Sequence, residues 1–260
     1  MTDFQQVKGV ERRRRILAHA RANGRVAVGE LACCLGVAVE TVRRDLQVLE
    51  DDGLVRRTHG GAYPIEHHRF EPPLKLRVEH DSAEKQRIAA AAVELMGAAE
   101  SLFIDEGSTA LAVAAALAAH PQPITVVTPS VAVATTLGER PNAEVLMLGG
   151  LLRSGSLATV GAWATSMLAE FCLDLAVVGA SGISMEHGLT TTDPAVSDLK
   201  RTVMGIARRK VFVGTHIKFG LSSFSRFADV EELDVLVTGS ALASRTAGHY
   251  QASGVRVVRA

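Results

Sequence analysis

From Ser82 onward, short apolar runs alternate with longer stretches of helical period, and this alternation restricts the fold more than any other feature of the chain. Residues 101–105, 124–128, 143–148, 175–179, 211–214, 235–238 and 255–258 read as strands. Residues 82–96, 108–120, 131–139, 162–171 and 194–209 read as helices, with a last helix before the final strand. Strands this apolar must be covered on both faces. The pattern therefore predicts an α/β domain: a mostly parallel sheet built from crossover units and wrapped by helices.

The first quarter of the chain has a different rhythm. Residues 11–22 form a helix with Ile16 and Leu17 in its apolar stripe, stopped by Asn23-Gly24. Residues 28–35 form a short second helix, broken by Gly36. Residues 39–52 form a third, with Val42, Leu46 and Leu49 at spacings of four and three. Residues 54–57 alternate like a strand, and Gly60-Gly61 turns the chain before Ala62-Tyr63-Pro64. Helix, helix, tight turn, helix and hairpin make a winged helix-turn-helix, assigned to residues 1–63. Residues 64–81 contain Pro64, Pro72 and Pro73 and read as a proline-stiffened linker. Residues 82–260 form the second domain. A length of 260 residues agrees with two domains, since one typically takes about 100–150.

Composition removes several classes of function. Lys and Arg together number 28, as do Asp and Glu, so no gross charge excess announces a nucleic-acid partner. The clustering is local: residues 8–25 hold seven basic residues against one acid, Glu11, and the local field decides phosphate binding. The longest Ala/Val/Leu-rich runs, 111–119 and 131–137, are far shorter than the ~20 residues that span a bilayer. Residues 1–10 carry no apolar signal segment, so a cytoplasmic protein with no membrane partner is expected. The three cysteines, Cys33, Cys34 and Cys172, make neither a disulfide framework nor a zinc site. Cys33-Cys34 reads as helix filling, with a redox switch as the alternative. Aromatic residues at 4% do not support a base-stacking surface.

Two segments carry chemistry. In the third helix, Glu40, Thr41, Arg43 and Arg44 face away from the apolar stripe, in the half that meets base edges in a helix-turn-helix. The guanidinium fork of Arg matches the paired acceptors of guanine. The hairpin tip, with Arg56, Arg57, His59, Gly60 and Gly61, is placed along the DNA backbone or minor groove. The second segment is Phe103-Ile104-Asp105-Glu106-Gly107-Ser108-Thr109-Ala110: strand end, acid, glycine turn, helix start. Free N–H groups and the helix dipole make such a start an anion site, and Asp105 can accept bonds from sugar hydroxyls. A plain helix cap is the alternative reading.

Thr41-Val42-Arg43-Arg44-Asp45-Leu46, then Leu49, Gly53, Leu54, Arg57 and His59-Gly60-Gly61-Ala62, resembles the DeoR family of bacterial transcription regulators. Phe103, Asp105, Gly107, Thr109, Gly149-Gly150-Leu151-Leu152-Arg153, Gly179-Ala180-Ser181-Gly182-Ile183, Asp193, Lys200-Arg201 and Lys218-Phe219-Gly220 extend the resemblance over nearly the whole chain. The resemblance implies a Rossmann-like second domain similar to ribose-5-phosphate isomerase. It implies that this domain binds a phosphorylated sugar or related small molecule. Ser108, Thr109, Lys200 and Lys218 then serve phosphate, and Asp105 and Arg153 serve hydroxyls. Gly179 and Ser181 are counted with these effector-binding residues, all of them lying where strand ends meet helix starts. Two departures concern the ligand: many members have Asn where this chain has Pro129, and Glu near Val196.

The expected function is a transcriptional regulator, most simply a repressor of a carbohydrate-metabolism operon. It would bind double-stranded operator DNA as a homodimer or homotetramer, without cofactor or metal. The alternative is an isomerase-like enzyme with an attached DNA-binding domain. Such an enzyme needs a carboxylate base and an electrophile. Ser181 and Val196 stand where acids would serve, no paired-carboxylate motif stands out, and no enzymatic activity is expected.

Overall fold

The computed structural model describes residues 9–51, 54–58, 60–64, 71 and 74–260. The chain divides into two compact units, Met1–Pro72 and Pro73–Ala260.

The first unit runs α1 (Gly9–Asn23), β1 (Val26–Ala27), α2 (Val28–Leu35), α3 (Val39–Asp51), β2 (Val55–Thr58) and β3 (Gly61–Pro64). Its core joins Ile16, Leu17 and Ala20 of α1, Leu31 of α2, Val42, Leu46 and Leu49 of α3, and Val55 of β2. The stripe of α3 is the one its spacing predicts. Gly36 closes α2 at a φ of +65°, where a glycine pays no Cβ penalty, and its N–H donates to the carbonyls of Ala32 and Cys33. The strands form an antiparallel sheet in the order β1-β3-β2. At two residues, β1 is too short to show a period in the sequence.

The second unit begins with α4 (Leu74–Glu79) and α5 (Ser82–Glu94). It continues through β4 (Ser101–Ile104), α6 (Ser108–Leu117), β5 (Ile124–Thr128), α7 (Val131–Gly138), β6 (Ala143–Met147), β7 (Leu151–Arg153), β8 (Ala158–Val160) and α8 (Ala162–Ala169). Next come β9 (Leu173–Val178), β10 (Gly182–Ser184), β11 (Gly188–Thr191), α9 (Pro194–Ile206), β12 (Ala207–Val213) and β13 (Ser225–Ala228). The chain closes with β14 (Val235–Thr238), α10 (Ser244–Ala252) and β15 (Arg256–Arg259). Seven strands form one parallel sheet in the order β15-β14-β12-β9-β4-β5-β6.

Successive strand residues point to opposite faces, and the two cores sort accordingly. Leu102, Ile104, Val126, Val177, Val211 and Val237 pack with Ile88, Val113 and Val133 of α5, α6 and α7. Phe103, Val178, Phe212 and Leu236 pack with Leu168, Leu199 and Tyr250 of α8, α9 and α10. The predicted two-sided burial is present.

Three features differ from the sequence reading. Residues 74–79, read as linker, are helical: Leu74 is buried and its N–H donates to the Gly155 carbonyl at 2.8 Å. Helix α9 stops at Ile206, three residues early, because Ala207 turns extended and starts β12 beside β9. Two small antiparallel elements, the β7–β8 hairpin and the sheet β10-β11-β13, lie outside the main sheet. Their strands are too short and too mixed in polarity to show a period.

The central strands are pinned at their starts by Asp174. Its carboxylate accepts from the Ser101 hydroxyl (2.8 Å) and from the N–H groups of Ser101 (3.0 Å) and Glu100 (3.2 Å). The Ser101 hydroxyl bond, then the Ser101 N–H, hold the Asp174 carboxyl below the usual carboxylate range. A depressed pKa contributes stability above the unfolded value that is lost as pH falls through the folded one. Asp174→Asn is therefore expected to lower the thermal unfolding midpoint at neutral pH, with the gap to wild type closing in acid. Calorimetry at both pH values checks this; a gap independent of pH refutes it.

Candidate functional site

The outer face of α3 carries the predicted DNA contacts. Glu40 and Arg43 are exposed and pair across one turn at 3.3 Å. Arg44 is exposed, with no ion-pair partner among the described residues. Thr41 is half-buried, its N–H bonded to the Ala38 carbonyl at 2.9 Å. The hairpin is strapped to this helix: the Arg57 guanidinium donates to the Gln47 side chain, and the Arg57 N–H to the Glu50 carboxylate at 2.8 Å. Arg56 is half-buried on β2. Gly60 is exposed at a φ of +88°, and its carbonyl accepts from the Val28 N–H at 2.8 Å. His59 lies outside the described residues.

One expectation is corrected. Gly61 is buried, and a Cβ there would sit 2.1 Å from the Val26 carbonyl oxygen. Its glycine allows β3 to close on β1 and presents nothing to DNA. Asp45 of α3 is buried at 3% exposure and bonds Arg12 of α1, with Arg13 at 3.5 Å. Part of the basic N-terminal cluster is thus committed to holding α1 on α3.

In the second unit the chain order reverses between two neighbouring strands. From β4 it proceeds outward to β5 and β6, then returns to β9 on the other side and proceeds to β12, β14 and β15. The carboxyl ends of β4 and β9 therefore flank a topological switch point, where open α/β sheets bind ligands. Asp105 follows β4 and Gly179 follows β9. Lys200 reaches this point from α9. Its ammonium donates to Asp105 Oδ2 at 2.6 Å and to the Gly179 carbonyl at 2.8 Å, and the Gly179 N–H donates to the same Asp105 oxygen at 2.8 Å. Lys200 and Asp105 side chains are 5% and 1% exposed. Asp105 Oδ1 is buried and has no hydrogen-bond partner among the described residues.

Beside this oxygen, α6 starts after Gly107 with no side-chain cap, and Leu111 is the residue whose N–H returns to the Gly107 carbonyl at 2.9 Å. The earlier N–H groups are the orphan donors of a helix start, and Ser108 and Thr109 stand there half-buried and buried. The sequence reading gave Lys200 to phosphate. The geometry gives it to Asp105 and Gly179, as the anchor of the site.

Arg153 of β7 joins a second cluster that the sequence did not reveal. Its guanidinium lies 3.8 Å from Glu106, 3.4 Å from Asp193 and 3.2 Å from the Ser156 hydroxyl. Asp193 caps α9, accepting from the Ala195 N–H at 2.8 Å. Ser181, half-buried after β9, donates its N–H to the Thr190 carbonyl at 2.9 Å. Lys218 lies in a 3-10 turn, His216–Lys218, past the end of β12. That turn is held from α5 by buried Glu84, which accepts from the His216 N–H at 2.8 Å. At Pro129 the loop needs no amide side chain: the Pro129 carbonyl accepts from the Thr159 N–H at 2.8 Å, and the Thr128 hydroxyl donates to the Ile104 carbonyl at 2.7 Å. Val196 is buried at 1% exposure, so its position supplies packing.

The described residues hold no group of three or more potential metal ligands and no helix long and apolar enough to cross a membrane.

Residues 12–68 match the DeoR-like helix-turn-helix domain, and residues 80–240 match the DeoR C terminal sensor domain. The HTH-type transcriptional regulator GlpR of Haloferax volcanii is 34% identical over 250 residues, 95% of this chain and 96% of its own length. The glycerol-3-phosphate regulon repressor of Escherichia coli is 31% identical over 232 residues, 89% of this chain and 91% of its own. Among solved structures, ribose 5 phosphate isomerase A from Neisseria gonorrhoeae overlaps 53% of each chain at 18% identity with a TM-score of 0.38, a likeness too slight to carry an argument. Both domain matches, and relatives that align along almost their whole length, place the chain in the DeoR family of transcriptional regulators.

Proposed function

We propose that the chain is a repressor whose operator affinity is changed by a phosphorylated sugar or polyol bound at the β4/β9 switch point. The observation that carries this reading is Asp105 Oδ1, a buried acceptor without a partner among the described residues, beside the uncapped N-terminus of α6. A buried unpaired carboxylate oxygen costs free energy, and a ligand hydroxyl donating to it removes that cost. A phosphate accepts from the N–H groups at the start of α6. One ligand with both groups satisfies both ends of the site. Lys200 neutralises Asp105, and Arg153 neutralises Glu106 and Asp193, which favours binding over proton abstraction. The name of the Escherichia coli relative, the glycerol-3-phosphate regulon repressor, supports a repressor role and a phosphorylated polyol. The Thr41, Arg43 and Arg44 face of α3 reads the major groove, and a ligand that prefers one DNA-binding state changes affinity by about 1–3 kcal/mol.

Fluorescence anisotropy on DNA from upstream of the chain's own gene, at fixed salt and with phosphorylated sugars and polyols titrated in, tests the reading. One member of the panel is expected to shift the affinity fivefold or more; a full panel without effect refutes the proposed ligand class. Arg44→Ala is expected to weaken operator binding by about 1–3 kcal/mol and relax specificity, and unchanged binding removes Arg44 from the contacts. Thr109→Ala and Lys218→Ala are expected to keep DNA affinity and blunt the response at least tenfold. A response surviving both changes places the ligand elsewhere.

The anchor is tested by stability. Lys200→Met leaves Asp105 charged and buried without its partner, at a cost of about 3–5 kcal/mol in urea unfolding, and adding Asp105→Asn recovers part of it. A Lys200→Met variant as stable as wild type refutes the anchoring role.

A further inference from the structure

Helix α3 opens on an apolar side chain that the first unit does not use. The turn before it is fixed from the α2 side: the Gly36 N–H donates to the Ala32 and Cys33 carbonyls, and the Val37 N–H to the Ala32 carbonyl at 3.1 Å. The helix itself starts on the Ala38 carbonyl, which accepts from the N–H groups of Thr41 at 2.9 Å and Val42 at 3.2 Å. Val37 packs against the core of this unit, and Val42 is buried within it. Between these two anchors Ala38, Val39 and Glu40 are all exposed, Val39 at 42%.

The chemistry around Val39 is narrow. The Glu40 carboxylate beside it is paired with Arg43 at 3.3 Å, so the charge next to the valine is balanced. Val39 itself lies one turn before Arg43 on the same side of α3. The side chains of Ala38 and Val39 carry neither donor nor acceptor, so they form no hydrogen bond to a base edge or a phosphate. The apolar feature that base pairs present in the major groove is the 5-methyl group of thymine.

We infer that Val39 reads a thymine through its 5-methyl group, resting on the placement of α3 in the major groove proposed above. In a helix-turn-helix the N-terminal residues of the second helix approach the base edges, and Val39 is the first residue of that helix. Its branched Cβ leaves one strongly preferred rotamer in a helix, so little side-chain freedom is lost on contact. The Gly36 turn and the burial of Val42 hold the backbone beneath it. The contact also rejects the alternative pyrimidine. Cytosine in place of that thymine sets an amino donor against the valine, which has nothing to receive it. Arg43 and Arg44 supply forks for guanine, and Val39 adds selection for an A·T pair that no arginine provides. Val48, the other exposed valine of α3, is a natural control. It lies roughly 13 Å farther along the axis and half a turn around the helix from Val39.

The experiment is fluorescence anisotropy of the full chain on the fragment from upstream of its own gene, at fixed salt. Each thymine of the fragment is replaced singly by deoxyuridine, which removes the methyl group and keeps the base pairing. Wild type is expected to lose about fourfold in affinity at one or more thymines, the effect of returning one methyl-sized group to water. Val39→Ser removes both valine methyls at an exposed position and is expected to bind thymine and deoxyuridine there alike. Val48→Ala is expected to keep the full difference. A deoxyuridine penalty that persists in Val39→Ser, or one that Val48→Ala also abolishes, overturns the assignment. Specific binding that no deoxyuridine weakens overturns the role of Val39 alone. A chain that binds the fragment no more tightly than unrelated DNA of the same length overturns the groove reading of α3, and the thymine contact with it.

Discussion

The sensor domain is organised around one buried charge pair. Lys200 and Asp105 come from elements almost a hundred residues apart and meet at the edge of the sheet, tied also to both backbone groups of Gly179. Each charge loses several kcal/mol of hydration on burial, and the attraction between them offsets that only with good geometry and further hydrogen bonds. Those conditions fix α9, the end of β4 and the end of β9 together. Gly179 takes part through its backbone, and a Cβ there would make only ordinary van der Waals contact with Asp105 Oδ2, at 3.6 Å. An apolar trio could fill the same space without paying for desolvation. What an apolar trio cannot provide is the second carboxylate oxygen of Asp105, held in place and left open.

The legible parts of the chain are those where one period persists over a whole element. Val42, Leu46 and Leu49 mark the buried side of α3, and residues 101–105 and 124–128 announce strands covered on both faces. The Gly107-Ser108-Thr109 turn is visible because a glycine between a strand and a helix leaves few other conformations. Contacts between distant side chains leave no such trace. Asp45 looks like one more exposed charge in a basic run, and only the packing of α1 on α3 buries it against Arg12. Lys200 looks like a phosphate ligand because sequence shows its charge and not its partner. The Arg153, Glu106 and Asp193 cluster draws on a strand end, a loop and a helix cap that only the fold brings together.

Glycine was the residue most open to misreading. Gly60 and Gly61 stand side by side in the hairpin, and proximity to DNA explains both equally well in the sequence. The backbone separates them. Gly60 is exposed at a positive φ, while Gly61 is buried against Val26, where any side chain would collide with a carbonyl. A glycine can thus be required by the turn, by a neighbouring strand or by a ligand, and only its surroundings distinguish these causes.

The charge cluster around Arg153 ties one short strand to the anchor pair. Arg153 closes β7, and its guanidinium joins Glu106, next to Asp105, to Asp193, the cap of the helix that carries Lys200. Leu151 and Leu152 of the same strand are exposed, so the hairpin is held from the Arg153 side. A ligand that competes for Arg153 or Glu106 therefore acts on β7 directly, in a hairpin that stands outside the main sheet and carries a left-handed leucine in its turn.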